Sequence, residues 1–309
     1  MQPANLARLQ IHFCVLLWGF TAILGKLITL PALPLVWWRM LLVVLALLLV
    51  PKVRRNLRAM SWRLIGAYAG IGVLVALHWL TFYGAIKLSN ASVGATCLAL
   101  GPVFLAFVEP WLTRRKFDTR ELLIGVAVVP GVVMVVGGVP VDMRIGIAVG
   151  VLSALFVALF GSLNKRMVES GDPLTVTCIE LGTGTLFLTV LAPLLPHQGT
   201  LLMLPSAHDA VLLLLLSFGC TLLPFSLALV ALRHISAFGT QMVTNLEPVY
   251  AIVLAIVLLG EQHELDRWFY LGVLVILAAV FVHPLLNRKR RVTRQPELMG
   301  TTESHSMVD

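Results

Sequence analysis

Glu247 sits beside Pro248 near the centre of a long apolar run. A carboxyl there could hold a cation or an amino group, or carry a proton. Hydrogen-bonded to a neighbour instead, it would lock helices together. The proline removes a backbone donor and opens a local kink, which can expose carbonyls to a cavity. Gln241, Asn245 and Tyr250 accompany it, and Gln241, Asn245 and the position of Pro248 share a helix face. A second group comprises His78, Trp79, Phe82 and Tyr83, in which His78 and Phe82, like Trp79 and Tyr83, are i, i+4 pairs. Aromatic faces suit flat or cationic solutes, and a histidine can titrate near neutral pH. The same residues also fit an interfacial aromatic belt. Trp18 and Thr21 fall near the middle of the first apolar run, where Trp18 could line a cavity or pack against Gly19. Arg39, within Trp37-Trp38-Arg39, could pair with a carboxylate or snorkel to the membrane interface. Glu180 is flanked by Thr177, Gly182, Thr183 and Gly184, which suit close helix packing. Glu109 precedes Arg114 and Arg115, its expected partners, and Asn164-Lys165 marks the exit of a span. The candidate solute contacts are thus Trp18, Thr21, His78, Trp79, Tyr83, Gln241, Asn245, Glu247 and Tyr250. The candidates for coupling or charge pairing are Glu247, His78, Glu180 and Arg39.

These groups matter because the rest of the sequence is so apolar. Of 309 residues, 59% are hydrophobic and 12% charged, with a mean hydropathy of +0.93. A soluble domain has about 45–50% apolar and about 25% charged residues. Surface-to-volume scaling leaves too few polar residues here to cover a water-soluble exterior. A soluble enzyme, a nucleic-acid-binding domain and a disordered chain are excluded, and lipid is the remaining solvent. The net charge of +8 does not reverse this, because the charges lie in short clusters between apolar runs. Cys14, Cys97, Cys178 and Cys220 are each embedded in apolar sequence without CxxC spacing, so neither a disulfide framework nor a zinc site is indicated.

Ten apolar segments can be marked, at 9–30, 34–50, 64–86, 89–112, 121–139, 145–165, 173–195, 209–232, 236–259 and 267–286. Each approaches the length of about 17–25 residues that crosses a bilayer. The first has no small-x-small exit and is expected to stay as a membrane helix rather than leave as a signal. With the N-terminus inside, the inner connections carry 18 of the 23 lysines and arginines, in clusters such as Lys52-Arg63, Arg114-Arg120 and Arg288-Arg294. The positive-inside rule therefore supports ten spans with both termini cytoplasmic. The segment from Asn287 to Asp309 reads as a basic, then polar, disordered tail.

Leu100-Gly101-Pro102 is echoed by Leu246-Glu247-Pro248, Ala91-Ser92-Val93-Gly94 by Ser236-Ala237-Phe238-Gly239, and Gly125 by Gly272. The offset of 145–147 residues is close to half the chain. Two copies of an odd number of spans must enter the membrane from opposite sides. The expected architecture is an all-α membrane protein of ten helices in two inverted five-helix repeats, at 9–139 and 144–286. Such repeats place a solute site near the midplane at their interface.

Leu17-Trp18-Gly19-Phe20, Arg39, Leu246-Glu247-Pro248-Val249, Leu258-Leu259-Gly260-Glu261 and Leu271-Gly272-Val273, taken in order, resemble the EamA family of the drug/metabolite transporter superfamily over residues 9–286. Leu-Gly-Glu has no counterpart after the fourth segment, where the chain reads Leu112-Thr113-Arg114-Arg115. The resemblance implies a carrier of a bacterial inner membrane that moves small metabolites by alternating access, often as an exporter. Relatives handle amino acids and drug-like cations. Its partners would be a small-molecule substrate, the lipid bilayer and, if coupled, protons acting on Glu247 or His78. A monomer or weak dimer is expected, with no nucleic acid and no cofactor. No Walker-type phosphate loop is present, so ATP-driven transport is not encoded in the chain. A membrane-embedded enzyme acting on a lipid or isoprenoid would need acidic metal and phosphate groups at its inner loops, which here are basic. A channel would need a continuous polar lining.

Overall fold

Capping residues and prolines set where the helices begin. In a computed structural model, residues 3–113, 119–195, 203–235, 240, 243–244 and 246–291 are described, and among them the secondary structure is helical with no strand. In chain order the α-helices are α1 (Pro3–Leu27), α2 (Ala32–Leu49), α3 (Pro51–Ala59), α4 (Trp62–Leu88), α5 (Ala91–Leu98), α6 (Gly101–Thr113) and α7 (Thr119–Gly137). These are followed by α8 (Arg144–Met167), α9 (Pro173–Leu191), α10 (Ala207–Leu214), α11 (Leu223–Ala231), α12 (Glu247–Leu259) and α13 (Arg267–Arg291). Ser61, Asn90, Asp172 and Ser206 each accept a backbone N–H at the start of α4, α5, α9 and α10, satisfying donors that a helix leaves free.

Seven helical stretches among the described residues are long and apolar enough to cross a membrane. The positions of the expected fifth, ninth and tenth segments carry shorter apolar stretches, at Ala127–Gly137, Glu247–Leu259 and Arg267–Ala279. The exterior is itself apolar: Leu45, Val133, Val257 and Leu274 are exposed in mid-helix. Thr21, Arg39, His78, Glu180 and Glu247 are turned inward. This reversal of the water-soluble pattern is what lipid requires.

Three local features depart from the sequence expectation. The basic connection after the second segment contains α3, which starts at Pro51, a residue preorganised for the first helical turn. It lies against the start of α9, through Lys52 Nζ to Asp172 Oδ1 at 2.6 Å and Asn56 Nδ2 to Thr175 Oγ1 at 3.2 Å. The last helix continues to Arg291, into the segment expected to be disordered; residues 292–309 lie outside the described residues. The fourth segment breaks at Ala99-Leu100, and Pro102 then occupies the second position of α6. Pro248 takes the same position in α12.

Helix pairing repeats between the halves. α4 packs on α8 as α11 packs on α1; α5 and α6 pack on α8 as α12 packs on α1; α7 pairs with α13, α2 with α9 and α5 with α12. Glycines allow the closest crossings. A Cβ on Gly131 would stand 2.8 Å from Gly272 O, and one on Gly272 would stand 2.6 Å from Gly131 O. Gly72 likewise meets the carbonyl of Glu180, leaving no room for a Cβ. Glu261, in the turn after α12, caps α5 across the halves. Its Oε1 accepts from Ala91 N at 2.9 Å, and its Oε2 accepts from Ser92 N at 2.9 Å and Ser92 Oγ at 2.6 Å. Gly260 enables that turn, with φ of 71° in the left-handed region.

Two stability predictions follow from this packing. Gly131→Ala or Gly272→Ala forces the α7–α13 backbones apart and costs about 1–3 kcal/mol. It lowers the thermal midpoint in detergent, whereas Gly70→Ala, with nothing near its Cβ, does not. Asp172 is partly buried, which raises its pKa, but bonds from Lys52 and Thr175 outweigh this and hold its carboxyl below its ordinary value of 3.8. Its charge thus stabilises the fold above that value, and the contribution disappears as pH falls through the lower folded value. Asp172→Asn, which keeps the cap, lowers the thermal midpoint at neutral pH, and the difference from wild type closes in strong acid.

Candidate functional site

Four of the inward-facing polar groups, Thr21, Arg39, His78 and Glu247, meet at one cavity with about 120 Å³ of free space. Trp18 and Thr21 of α1, Arg39 of α2, His78 and Trp79 of α4, and Glu247 of α12 line it. It therefore draws on both halves of the chain. Phe82, Phe160 and Phe225 add aromatic walls, and the lining reaches Asn164 and Leu232 near the ends of α8 and α11.

Arg39 is the largest charged group in this interior and is only 2% exposed. It does not snorkel, because α2 presents this position to the protein interior. Its Nε donates to Thr221 Oγ1 at 2.6 Å and its Nη1 to Tyr83 Oη at 2.9 Å, and Cζ lies 3.8 Å from the centroid of the Trp79 ring. A buried cation normally needs a counter-charge. Here the two hydroxyl partners are neutral and the ring supplies a cation–π contact. Thr221 reaches the guanidinium from a π-helical stretch, Leu215–Leu222, and donates its own proton to Leu216 O at 2.6 Å. Such local widening is common where a side chain must be re-aimed at a site.

Glu247 is 5% exposed in the first turn of α12, where the helix dipole favours negative charge. The cavity thus carries a guanidinium from the first half and a carboxyl from the second, among aromatic side chains. His78 is fixed between the halves as well. Its Nδ1 lies 3.0 Å from Ser153 O, and Ser153 Oγ lies 2.8 Å from the same nitrogen while donating to His78 O at 2.9 Å. A carbonyl can only accept, so the contact assigns the proton to Nδ1 and leaves Nε2 as an acceptor.

The remaining expected residues are distributed differently. Tyr83 does not line the cavity and does not belong to an interfacial belt: it is buried, packed against Gly25 and bonded to Arg39. Tyr250 is 38% exposed on the outer side of α12, with its Cβ against Gly19, and lies outside the cavity lining. Glu180 is fully buried beside the cavity, behind Asn164. Glu109 is buried, whereas Arg114 and Arg115 lie outside the described residues, as do Gln241 and Asn245. Sequence reasoning missed Phe160 and Phe225, and read Asn164 only as an exit marker. The i, i+4 spacing of Phe160 and Asn164 was the available signal. Thr221 carried none, since its direction depends on the π-helical turn.

Tyr83→Phe leaves a buried guanidinium N–H without its acceptor and costs about 1–3 kcal/mol. Tyr250→Phe changes an exposed position and leaves stability unchanged. Thermal unfolding of the two variants in detergent checks the contrast.

Comparison with known proteins agrees with this architecture. An uncharacterized transporter of Clostridium kluyveri is 23% identical over 274 residues, covering 84% of this chain and 86% of its own length. A solved crystal structure matches 92% of this chain and 98% of its own at a TM-score of 0.66 and 16% identity, a likeness of fold. The EamA-like transporter family matches twice, over residues 7–137 and 144–283, so that both halves of the chain are covered. The chain belongs to the EamA-like transporter family, as an integral membrane protein built from two such repeats.

Proposed function

We propose that the protein is a secondary transporter that exports small metabolites such as amino acids through this cavity by alternating access. The carrying observation is the pairing of Arg39 and Glu247 on one aromatic-walled cavity between the halves. A solute with a carboxylate and an ammonium group fits that arrangement. Its carboxylate meets the guanidinium, which has five donors of which Thr221 and Tyr83 engage two. Its ammonium meets Glu247, and an apolar or aromatic side chain meets Trp18, Trp79 and Phe82. Charge-assisted contacts of this kind are roughly twice as strong as neutral ones, which compensates for stripping water from both ends of the solute.

In this reading the chain crosses a bacterial inner membrane ten times, as inverted repeats at 9–139 and 144–286, with both termini and the tail 287–309 in the cytoplasm. The exchange symmetry of the main helix pairs supports it, since the packing of α4, α5 and α6 on α8 is paralleled by that of α11 and α12 on α1. Rocking of the halves about the α2–α9 and α7–α13 contacts would open the cavity to alternate sides. The driving force is a proton gradient or the substrate gradient itself. This cavity, lined by isolated polar groups among aromatic rings, favours solute binding over catalysis on a lipid. A monomer suffices, because both halves of the site lie in one chain.

A thermal-shift screen against amino acids, polyamines, nucleosides and aromatic cations tests the substrate class. Amino acids are expected to raise the midpoint; at 100 times Kd the gain is about 2.7 kcal/mol. Glu247→Gln should weaken this binding at least about tenfold, or about 1.4 kcal/mol. It should slow flux in proteoliposomes correspondingly. Unchanged flux and pH dependence in Glu247→Gln would remove the assigned role.

A further inference from the structure

Behind the cavity wall lies a carboxyl that the substrate contacts do not use. Glu180, in the middle of α9, is 0% exposed. Its Oε2 stands 3.5 Å from Asn164 Nδ2, and its Oε1 has no hydrogen-bond partner among the described residues. Asn164 is the group between this carboxyl and the cavity: it lines the cavity, is itself buried, and its Oδ1 is also without a partner. Two adjacent buried polar groups with an unmet atom each are unusual in a native fold. Small changes in protonation and orientation would satisfy both.

We propose that Glu180 is a reversible proton-binding site whose occupancy sets the hydrogen-bonding character of the cavity through Asn164. The proposal rests on the reading of the cavity as a carrier's solute site. In the charged state the carboxylate can only accept, so Asn164 turns its NH2 towards Glu180 and offers Oδ1 elsewhere. When a proton from cavity water adds to the carboxylate, the group becomes a donor. Its O–H then goes to Asn164 Oδ1, and a half-turn of the amide presents NH2 in place of the oxygen. One proton is taken up or released per cycle and no covalent bond other than O–H changes. The O and N of an amide have almost the same shape, so the switch needs no backbone movement. Proton loading thereby exchanges an acceptor for a donor on the cavity side, which alters affinity for a solute without touching Arg39 or Glu247.

The surroundings leave this carboxyl dependent on Asn164. Of the titratable and charged groups on the elements around it, Tyr68 of α4 donates to Met167 O at 2.9 Å. Lys165 of α8 donates to Leu232 O and Ile235 O, and Arg233, after α11, donates to Gly171 O at 2.8 Å. Lys52 of α3 is bonded to Asp172, and Arg39 of α2 is bonded to Thr221 and Tyr83. Each makes a hydrogen bond elsewhere, and the side-chain group within hydrogen-bond distance of Glu180 among the described residues is the Asn164 amide.

Infrared difference spectroscopy of the purified full-length chain, titrated between about pH 5 and pH 9 without any solute, tests this. The wild type should show a carboxylic-acid C=O band that disappears as pH rises, together with a shift of a side-chain amide band. Glu180→Gln should lack this carboxyl signal and Glu247→Gln should retain it. Asn164→Leu should keep the signal but move it to the position of an acid without an amide acceptor. A titration unaffected by Glu180→Gln would overturn the proposal, as would a Glu180 band insensitive to Asn164→Leu if the Gln variant does not fold. Because no solute is present, these outcomes are independent of the transport assay, whose failure would bear on the carrier reading instead.

Discussion

Inside hydrocarbon, every polar group must be satisfied by the protein itself, and this structure is organised around how it does so for Arg39. A guanidinium that is 2% exposed requires acceptors and a counter-charge that water does not supply. Tyr83, Thr221 and the Trp79 ring come from three different elements to meet it. Each of these in turn fixes something else. Tyr83 can reach because Gly25 has no side chain. Thr221 can reach because the eighth segment winds as a π-helix there. Trp79 presents its face because α4 is held to α8 through His78 and Ser153. The charge thus couples the first half of the chain to the second.

Glu247 completes the pattern from α12. The break before this helix leaves the carboxyl in its first turn, and Pro248 needs no backbone donor at that position. The equivalent break in the first half puts Gly101-Pro102 at the start of α6, without an acid. The two halves therefore share a helix start with proline in its second position while differing in the residue before it, so one site can be asymmetric. Glu261 shows the same division. It caps α5 across the halves, and the first repeat has no Leu-Gly-Glu to return the contact.

Much of the fold was legible because lipid imposes a simple rule on sequence. Apolar runs, prolines and basic clusters located several helices, such as α2, α4, α8 and α9, to within a few residues, since each is a local property of the chain. The exceptions have local causes too. The amphipathic α3 is too short and basic for a hydropathy reading. The break in the fourth segment depends on how Ala99 and Leu100 turn. The site was legible in type but less so in direction. Arg39, His78, Trp79 and Glu247 were identified because polar groups are costly in membranes, and all four line the cavity. Tyr83 and Tyr250 could not be told apart, because the rotation of a helix about its axis depends on its neighbours. Asn164 was masked by the adjacent Lys165, whose charge dominated the reading of that segment.

The central claim is that the cavity recognises opposite charges at once, one at Arg39 and one at Glu247. The most direct test is calorimetric titration of the wild-type chain with an aromatic amino acid, the matching amine lacking the carboxylate, and the matching acid lacking the amine. The account predicts measurable binding of the amino acid and at least about tenfold weaker binding of each analogue, or about 1.4 kcal/mol per lost charge. Equal affinity for all three would show that aromatic surface alone governs the cavity and would contradict the account.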